Sequence, residues 1–296
     1  MTLNAIKNTL FTGNVWYHFE SLHSTNDLAT EWLSQRVLTP RGGANAMGNA
    51  SENTNCPLST IHYPLKVIHY PLKEGTVITT FNQTSGRGQM GNVWLAEPNQ
   101  NIAFSLILQP TFLDAREQFP LNKAIALAVH DFFVNIMQIY NPSLVNACRI
   151  KWSNDIYIRD EKIAGILIQN TLSGSRLQNA IVGIGLNVNQ LIFSNAFNAT
   201  SLKRLLERDF DLFDLVEQLA QRIESRYLQL KTGNFKKIHD EYLTKLYRFG
   251  IESAFQRLNG DEFRGTIIGV SAEGRLEVLT TEGVKSFEIK EVKFVI

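Results

Sequence analysis

An arginine set between two glycines, and a lysine that opens a short apolar run, are the residues of this chain best suited to chemistry. In "TFNQTSGRGQMGNVW" (80–94) Gly86, Gly88 and Gly91 have the spacing G-x-G-x-x-G, with Arg87 between the first two. Backbone free of side chains can close on a ligand there, and a guanidinium can meet a phosphate or carboxylate through two parallel bonds. Further on come "KWSND" (151–155), "KIAGIL" (162–167) and "GIGLNVN" (183–189). Arg87 and Lys162 thus flank the amide and acid of Asn154 and Asp155 in a site built from strand ends and loops. Such a set suits a carboxylate attacking the α-phosphate of ATP. That step needs no protein nucleophile, only good positioning and cations to quench the developing charge.

The glycine spacing alone decides little. A dinucleotide fingerprint needs a helix whose N-terminus receives the pyrophosphate. Here the glycines run into "NVWLAEPNQN", with Pro98 and then a strand. The match to G-x-G-x-x-G-x-V extends through Val93, but no V-A-I-K, H-R-D or D-F-G follows, so a kinase is excluded as well. Taken singly, the other residues have plainer readings. Ser24 caps a helix, Gln83 is a loop amide, Lys162 a solvated turn lysine, Trp94 a core residue, and Asn154 with Asp155 a turn.

The elements that must position these groups follow from the pattern. Residues 15–20 and 76–81 read as strands, as does "NIAFSLIL". Ser24-x-x-Asp27 is a capping box opening a short helix. "REQFPLNKAIALAVHDFFVNIMQIY" has helical periodicity and stops before Asn141-Pro142. The segment 148–172 reads as strand, turn, strand, and "RLQNAIVGIGLNVNQ" as a strand ending in a Gly/Asn loop. Helical patterns fill 202–249, and tight turns between short strands then predict a small all-β barrel of about five strands, with the boundary near Gly250. Residues 37–73 form a low-order insertion in which "IHYPLK" occurs twice, at 61–66 and 68–73. His62 and His69 have no carboxylate or thiol cluster beside them, so a metal site is not expected there.

With 296 residues, 44% of them hydrophobic, the chain can hold one large unit and a small one. A net charge of +1 supplies no basic field for nucleic acid or anionic lipid. Cys56 and Cys148 form neither C-x-x-C nor a metal spacing and read as reduced thiols. With no signal peptide and no long apolar run, the expected location is the cytoplasm, away from the membrane.

Together, and in this order, "STN" (24–26), "GRGQMGNVW", "KWSNDIY", "KIAGIL" and "GIGLNVN" resemble the biotin protein ligases, from about residue 15 to the C-terminus with the insertion left out. The resemblance implies a mixed α+β fold: a sheet like that of class II aminoacyl-tRNA synthetases, backed by helices (1–249), and an SH3-like barrel (250–296). It implies biotin and ATP as substrates with Mg²⁺, and a biotinyl-5′-adenylate that passes its biotin to one lysine of a biotin carboxyl carrier protein or domain. By the same resemblance Arg87 and Lys162 are catalytic. Ser24, Thr25, Asn26 and Gln83 hold the biotin ring system, and Gly86, Arg87, Gly88 and Gln89 form the loop over it. Lys162 and Gly165 lie by its carboxylate. Trp94 packs on adenine, Asn154 and Asp155 place the phosphates with Asp155 on the metal, and Asn187 reaches the nucleotide above Gly183 and Gly185.

Two positions depart from the family pattern: Ser153 stands where proline is common, and Gln89 where well-known members have arginine. A lipoate–protein ligase shares the fold but has a different glycine loop. A biotin-sensing, DNA-binding form carries an N-terminal winged helix, for which the pattern starting near residue 15 leaves no room, so no nucleic-acid partner is expected. A homodimer remains open.

Overall fold

The computed structural model describes residues 1–35, 72–193 and 198–295. Most of the 37–73 insertion lies outside the described residues, including Cys56, His62, His69 and both "IHYPLK" copies except Leu72 and Lys73. The first half of the chain gives β1 (Thr2–Asn4), β2 (Trp16–Phe19), α1 (Thr25–Gln35), β3 (Val77–Thr80), β4 (Gly86–Arg87), β5 (Val93–Trp94), β6 (Asn101–Leu108) and α2 (Phe119–Tyr140). Then come β7 (Cys148–Lys151), β8 (Asp155–Ile158), β9 (Glu161–Ser173) and β10 (Arg176–Asn187), followed by α3 (Leu202–Leu206), α4 (Leu212–Lys231) and α5 (Phe235–Lys245). The chain ends with β11 (Glu252–Arg257), β12 (Glu262–Val270), β13 (Leu276–Thr280), β14 (Gly283–Phe287) and β15 (Val292–Phe294).

The local signals act as their chemistry requires. Ser24 Oγ accepts the Asp27 N–H at 3.3 Å and so caps α1. Pro120 sits in the first turn of α2, where its missing N–H costs nothing. Asp211 caps α4 by accepting the Asp214 N–H at 2.9 Å. Two expectations need correction. The segment 148–172 is three strands, β7, β8 and β9, because turns at both 152–154 and 159–160 reverse it. The edge strand β1 was not foreseen, since three exposed residues show no alternation to read.

Eight strands form one mixed sheet in the order β1-β2-β3-β6-β10-β9-β8-β7, with β2 and β3 the parallel pair. Side chains alternate across it. On β6, Ile102, Phe104, Leu106 and Leu108 enter the large core shared with α2 and α4, while Ile107 enters a smaller core under α1 with Ile78, Ile181 and Ala29. Burying each such side chain contributes roughly 1.5–3 kcal/mol. The face toward α1 is therefore the one on which Ala103 and Ser105 also point, beyond the end of the helix's apolar cover. No helix among the described residues is long and apolar enough to cross a membrane.

The second sheet is antiparallel, in the order β14-β13-β12-β11-β15, with Phe255, Phe263 and Phe287 stacked inside it at centroid spacings of 5.4 and 5.5 Å. It packs on the first unit at several points, with Tyr247 and Lys151 against the Phe294 ring and a shared apolar core, and one of these contacts is tight. Gly274 leaves no room for a Cβ against the Phe119 ring, and its carbonyl accepts the Trp152 indole N–H at 3.0 Å.

Beside that contact Lys123, 4% exposed on α2, donates to His239 Nδ1 at 2.9 Å, and burial pulls its ammonium down from 10.5 to about 8. Between these values the unfolded chain holds the proton more firmly than the folded one, so stability rises with pH from about 8 to 10.5. Lys123→Met removes this contribution. In thermal melts across pH 7–10 the variant is expected to be more stable at pH 7 and to have the shallower rise. An unchanged slope would mean that Lys123 does not titrate in that window.

Candidate active site

Residues 21–23 and 82–85 run side by side, with Leu22 N–H bonded to Asn82 O, Thr84 N–H to Leu22 O and Ser85 N–H to His23 O at 2.9–3.0 Å. This ladder brings Ser24, Thr25 and Asn26 beside Gln83, although 58 residues separate Thr25 from it. Gln83 Oε1 accepts the Thr25 N–H at 2.9 Å and lies 3.3 Å from the Thr25 hydroxyl. Behind them Ser105 on β6 lies 2.7 Å from Thr25 Oγ1 and 2.5 Å from Asn26 Oδ1. Asn26 Nδ2 donates to Gln169 Oε1 at 3.1 Å.

The glycine loop is a small flap. β4 and β5 pair through Gly86–Trp94 and Arg87–Val93, and one 3₁₀ turn at Gln89–Gly91 closes the tip. No α-helix begins there, as the sequence context indicates. The flap lays the Trp94 indole across the sheet, over Gly165 and Gly185, which face each other on β9 and β10. A Cβ on Gly185 would come within 2.4 Å of the ring and one on Gly165 within 3.1 Å. A third glycine, Gly183, does the same for Asn26, whose Oδ1 lies 2.3 Å from where its Cβ would be.

Lys162 reaches this floor through an irregularity. On β8 Ile156 pairs with Ala164 and the next residue, Tyr157, with Lys162, so β9 carries an extra residue, Ile163. In a regular strand Lys162 and Gly165 would point to opposite faces. The bulge puts them on the same one. Lys162 Nζ bonds Asp155 Oδ1 at 2.7 Å and stands 5.6 Å from the Trp94 ring centre. Arg87, at 60% side-chain exposure, is held by Asp27 on the first turn of α1, with Nε 3.0 Å from Oδ2. That carboxylate was expected in the reciprocal half of the capping box and is on the arginine instead.

The cleft between these groups has about 730 Å³ of empty space, and Ser24, Gln83, Arg87, Trp94, Asp155 and Lys162 all line it. Thr25, Asn26, Gly88, Gln89, Asn154 and Gly165 line it too. Three residues stand apart from the expectation. Gly86 lies outside the lining, paired with Trp94 in the flap. Asn187 is buried outside the lining, and its amide donates to Lys162 O at 3.4 Å, beneath the lysine's backbone. Asn154 borders the cleft but bonds the Ile166 carbonyl with its amide and accepts from Ser153 Oγ at 2.9 Å, so it braces the turn. The two departures from the family pattern touch each other, since Gln89 Oε1 lies 3.4 Å from Ser153 Oγ.

Residues 58–187 match the Biotin/lipoate A/B protein ligase family. The bifunctional ligase/repressor BirA of Bacillus subtilis is 31% identical over 228 residues, 74% of this chain. The chain spans 66% of that relative's length. A biotin–[acetyl-CoA-carboxylase] ligase of Paracoccus denitrificans is 28% identical over 223 residues, 72% of this chain and 87% of that ligase. The biotin protein ligase from Aquifex aeolicus, solved with biotin and ATP, shares the fold at a TM-score of 0.67 and 23% identity, over 95% of this chain and 98% of that one. The chain belongs to the biotin protein ligase family.

Within this biotin protein ligase fold, Asp155 is the one carboxylate lining the cleft, and among the described residues no group of three or more metal-ligating side chains exists. A resident metal does not fit such a site. Sequence reasoning missed Ser105, Gln169 and the Asp27–Arg87 pair. For Ser105 a signal existed: it is the one hydroxyl residue inside the apolar strand "NIAFSLIL", every residue of which is buried.

The glycine floor can be tested without any ligand. Gly185→Ala is expected to lift the Trp94 ring and red-shift its fluorescence, and the same substitution in a Trp94→Phe background is expected to leave emission unchanged. No shift in the first protein would mean that the indole does not rest on this floor.

Proposed function

We propose that this protein is a biotin–protein ligase working in two steps on one cleft. First, a carboxylate oxygen of biotin attacks the α-phosphorus of ATP, giving biotinyl-5′-AMP and pyrophosphate. Then the unprotonated ε-amine of a lysine on a biotin carboxyl carrier domain attacks the acyl carbon. AMP leaves, and the amine proton passes to solvent.

The observation that carries this reading is the polarity of the Ser24–Thr25–Gln83 end. Ser24 Oγ accepts from Asp27 N–H, so its own proton remains for a ligand. Gln83 Oε1 is occupied by Thr25, which leaves the Nε2 protons to donate. Thr25 Oγ1 supplies lone pairs. Two donors for a carbonyl and an acceptor for an N–H fit the ureido ring of biotin. A lipoyl dithiolane offers neither group, so these partners would be left unpaired, which disfavours the lipoate reading.

At the other end Lys162 and Arg87 meet the carboxylate and α-phosphate, and Trp94 offers its ring to adenine. Asp155, once released from Lys162, would hold a Mg²⁺ brought in on ATP, which would offset charge on the phosphates. Both cations are parked on carboxylates without ligand. Partly exposed pairs of this kind are worth on the order of 1 kcal/mol, so an incoming anion displaces them at little cost. A cytoplasmic location suits the need for ATP and the buried, unpaired Cys148 thiol.

Mass-detected transfer to a carrier-domain lysine, with ATP and Mg²⁺, tests the proposal. Biotin is expected to be transferred and lipoate or octanoate not; the reverse preference would overturn it. Lys162→Ala is expected to slow adenylate formation roughly 10²–10³-fold with the fold intact, the usual scale for losing one such charge-stabilising donor. A rate within a few-fold of wild type would return Lys162 to a structural role.

A further inference from the structure

Ser105 touches no cleft-facing surface: it is fully buried at mid-strand on β6, yet it is bonded to two residues that do face the cleft. A hydroxyl has one proton and cannot donate to both Thr25 Oγ1 and Asn26 Oδ1. The surroundings decide which receives it. Asn26 Nδ2 faces the backbone carbonyl of Leu167, at 3.5 Å, which can only accept, and Gln169 Oε1 at 3.1 Å. Asn26 therefore presents its oxygen to Ser105, and that oxygen can only accept. The Ser105 proton goes to Asn26 at 2.5 Å, and Ser105 Oγ in turn accepts the Thr25 proton at 2.7 Å, a closer partner than Gln83 Oε1 at 3.3 Å. Gly183 makes the arrangement sterically available, because any side chain there would displace the Asn26 amide.

We propose that Ser105 is a positioning residue for substrate specificity: through the relay Thr25→Ser105→Asn26→Leu167 it commits the Thr25 hydroxyl to point its proton inward and its lone pairs at the substrate. The substrate group selected is an N–H donor, and the inference rests on the reading that biotin, with its ureido ring, is the acid activated here. Without Ser105 the Thr25 proton is free to turn to Gln83 or into the cleft, where it opposes an N–H and no longer penalises a ligand that lacks one.

The test is Ser105→Ala in the full chain. Biotin binding is first measured by calorimetry without ATP. A wild-type protein that does not bind biotin overturns the ligase reading and this inference with it. If it binds, KM for biotin in Ser105→Ala is expected to rise roughly 5–10-fold, the scale of one neutral hydrogen bond, while kcat at saturating biotin and KM for ATP stay within two-fold. The preference for biotin over octanoate is expected to narrow by the same factor. Ser105→Cys, of similar volume and a weaker donor, is expected to recover part of the loss, and it serves as the readout if the alanine variant does not fold. Equal biotin affinity in wild type and variant, or a fall in kcat and melting temperature with the biotin–octanoate preference intact, overturns the proposal and leaves Ser105 a packing residue.

Discussion

Three glycines on two paired strands leave the centre of the main sheet without side chains, and the rest of the site is arranged on that bare backbone. Gly165 faces Gly185 across the β9–β10 ladder, and Gly183 lies two residues up the same face. A Cβ at any of them would occupy space now filled by Trp94 or Asn26. Strand interiors normally gain from large side chains, so glycine here gives up packing for access. The result is a flat floor that holds an indole ring at one end and a buried amide at the other, with room for a ligand between the flap and the sheet.

On that floor every charged group already has a partner. Arg87 is on Asp27 and Lys162 on Asp155, so neither cation is held over apolar surface unpaired. Such pairing holds both cations without locking them, because partly exposed pairs are weak and anions of the substrate can replace the carboxylates. The uncharged end follows the opposite rule. Ser105, Asn26 and Thr25 are all nearly inaccessible, and there an unmatched donor or acceptor is costly, so a continuous hydrogen-bonded chain runs from the cleft to the Leu167 carbonyl of β9.

The second sheet contributes at a distance. Its Gly274 carbonyl takes the Trp152 indole, and Tyr242 on α5 donates to the Ser153 carbonyl at 3.2 Å, so the turn preceding Asp155 is held from two sides. The turn that carries Ser153 is thus fixed by packing and hydrogen bonds from outside itself.

The sequence by itself determined the elements whose signals are local and the identity of most groups in the site. Alternation and apolar runs gave β6 and β10, a capping serine gave the start of α1, and the absence of a helix after the glycines was legible from Pro98. Ordered motifs named Arg87, Lys162, Trp94 and Gln83, and all four line one cleft. What only the tertiary structure decided is direction. The bulge at Ile163 turns Lys162 onto the face of Gly165, a change of register that no residue in "KIAGIL" announces. Asn187, in a motif like the others, ends up beneath the Lys162 backbone, and Asn154 turns to the Ile166 carbonyl. The Asp27 carboxylate leaves its own helix for Arg87, and Ser105 becomes part of the site solely because β6 passes under α1. Periodicity fixes which face a side chain takes only while the strand is regular. Where a bulge, a turn or a neighbouring strand intervenes, the choice depends on residues far away in the chain.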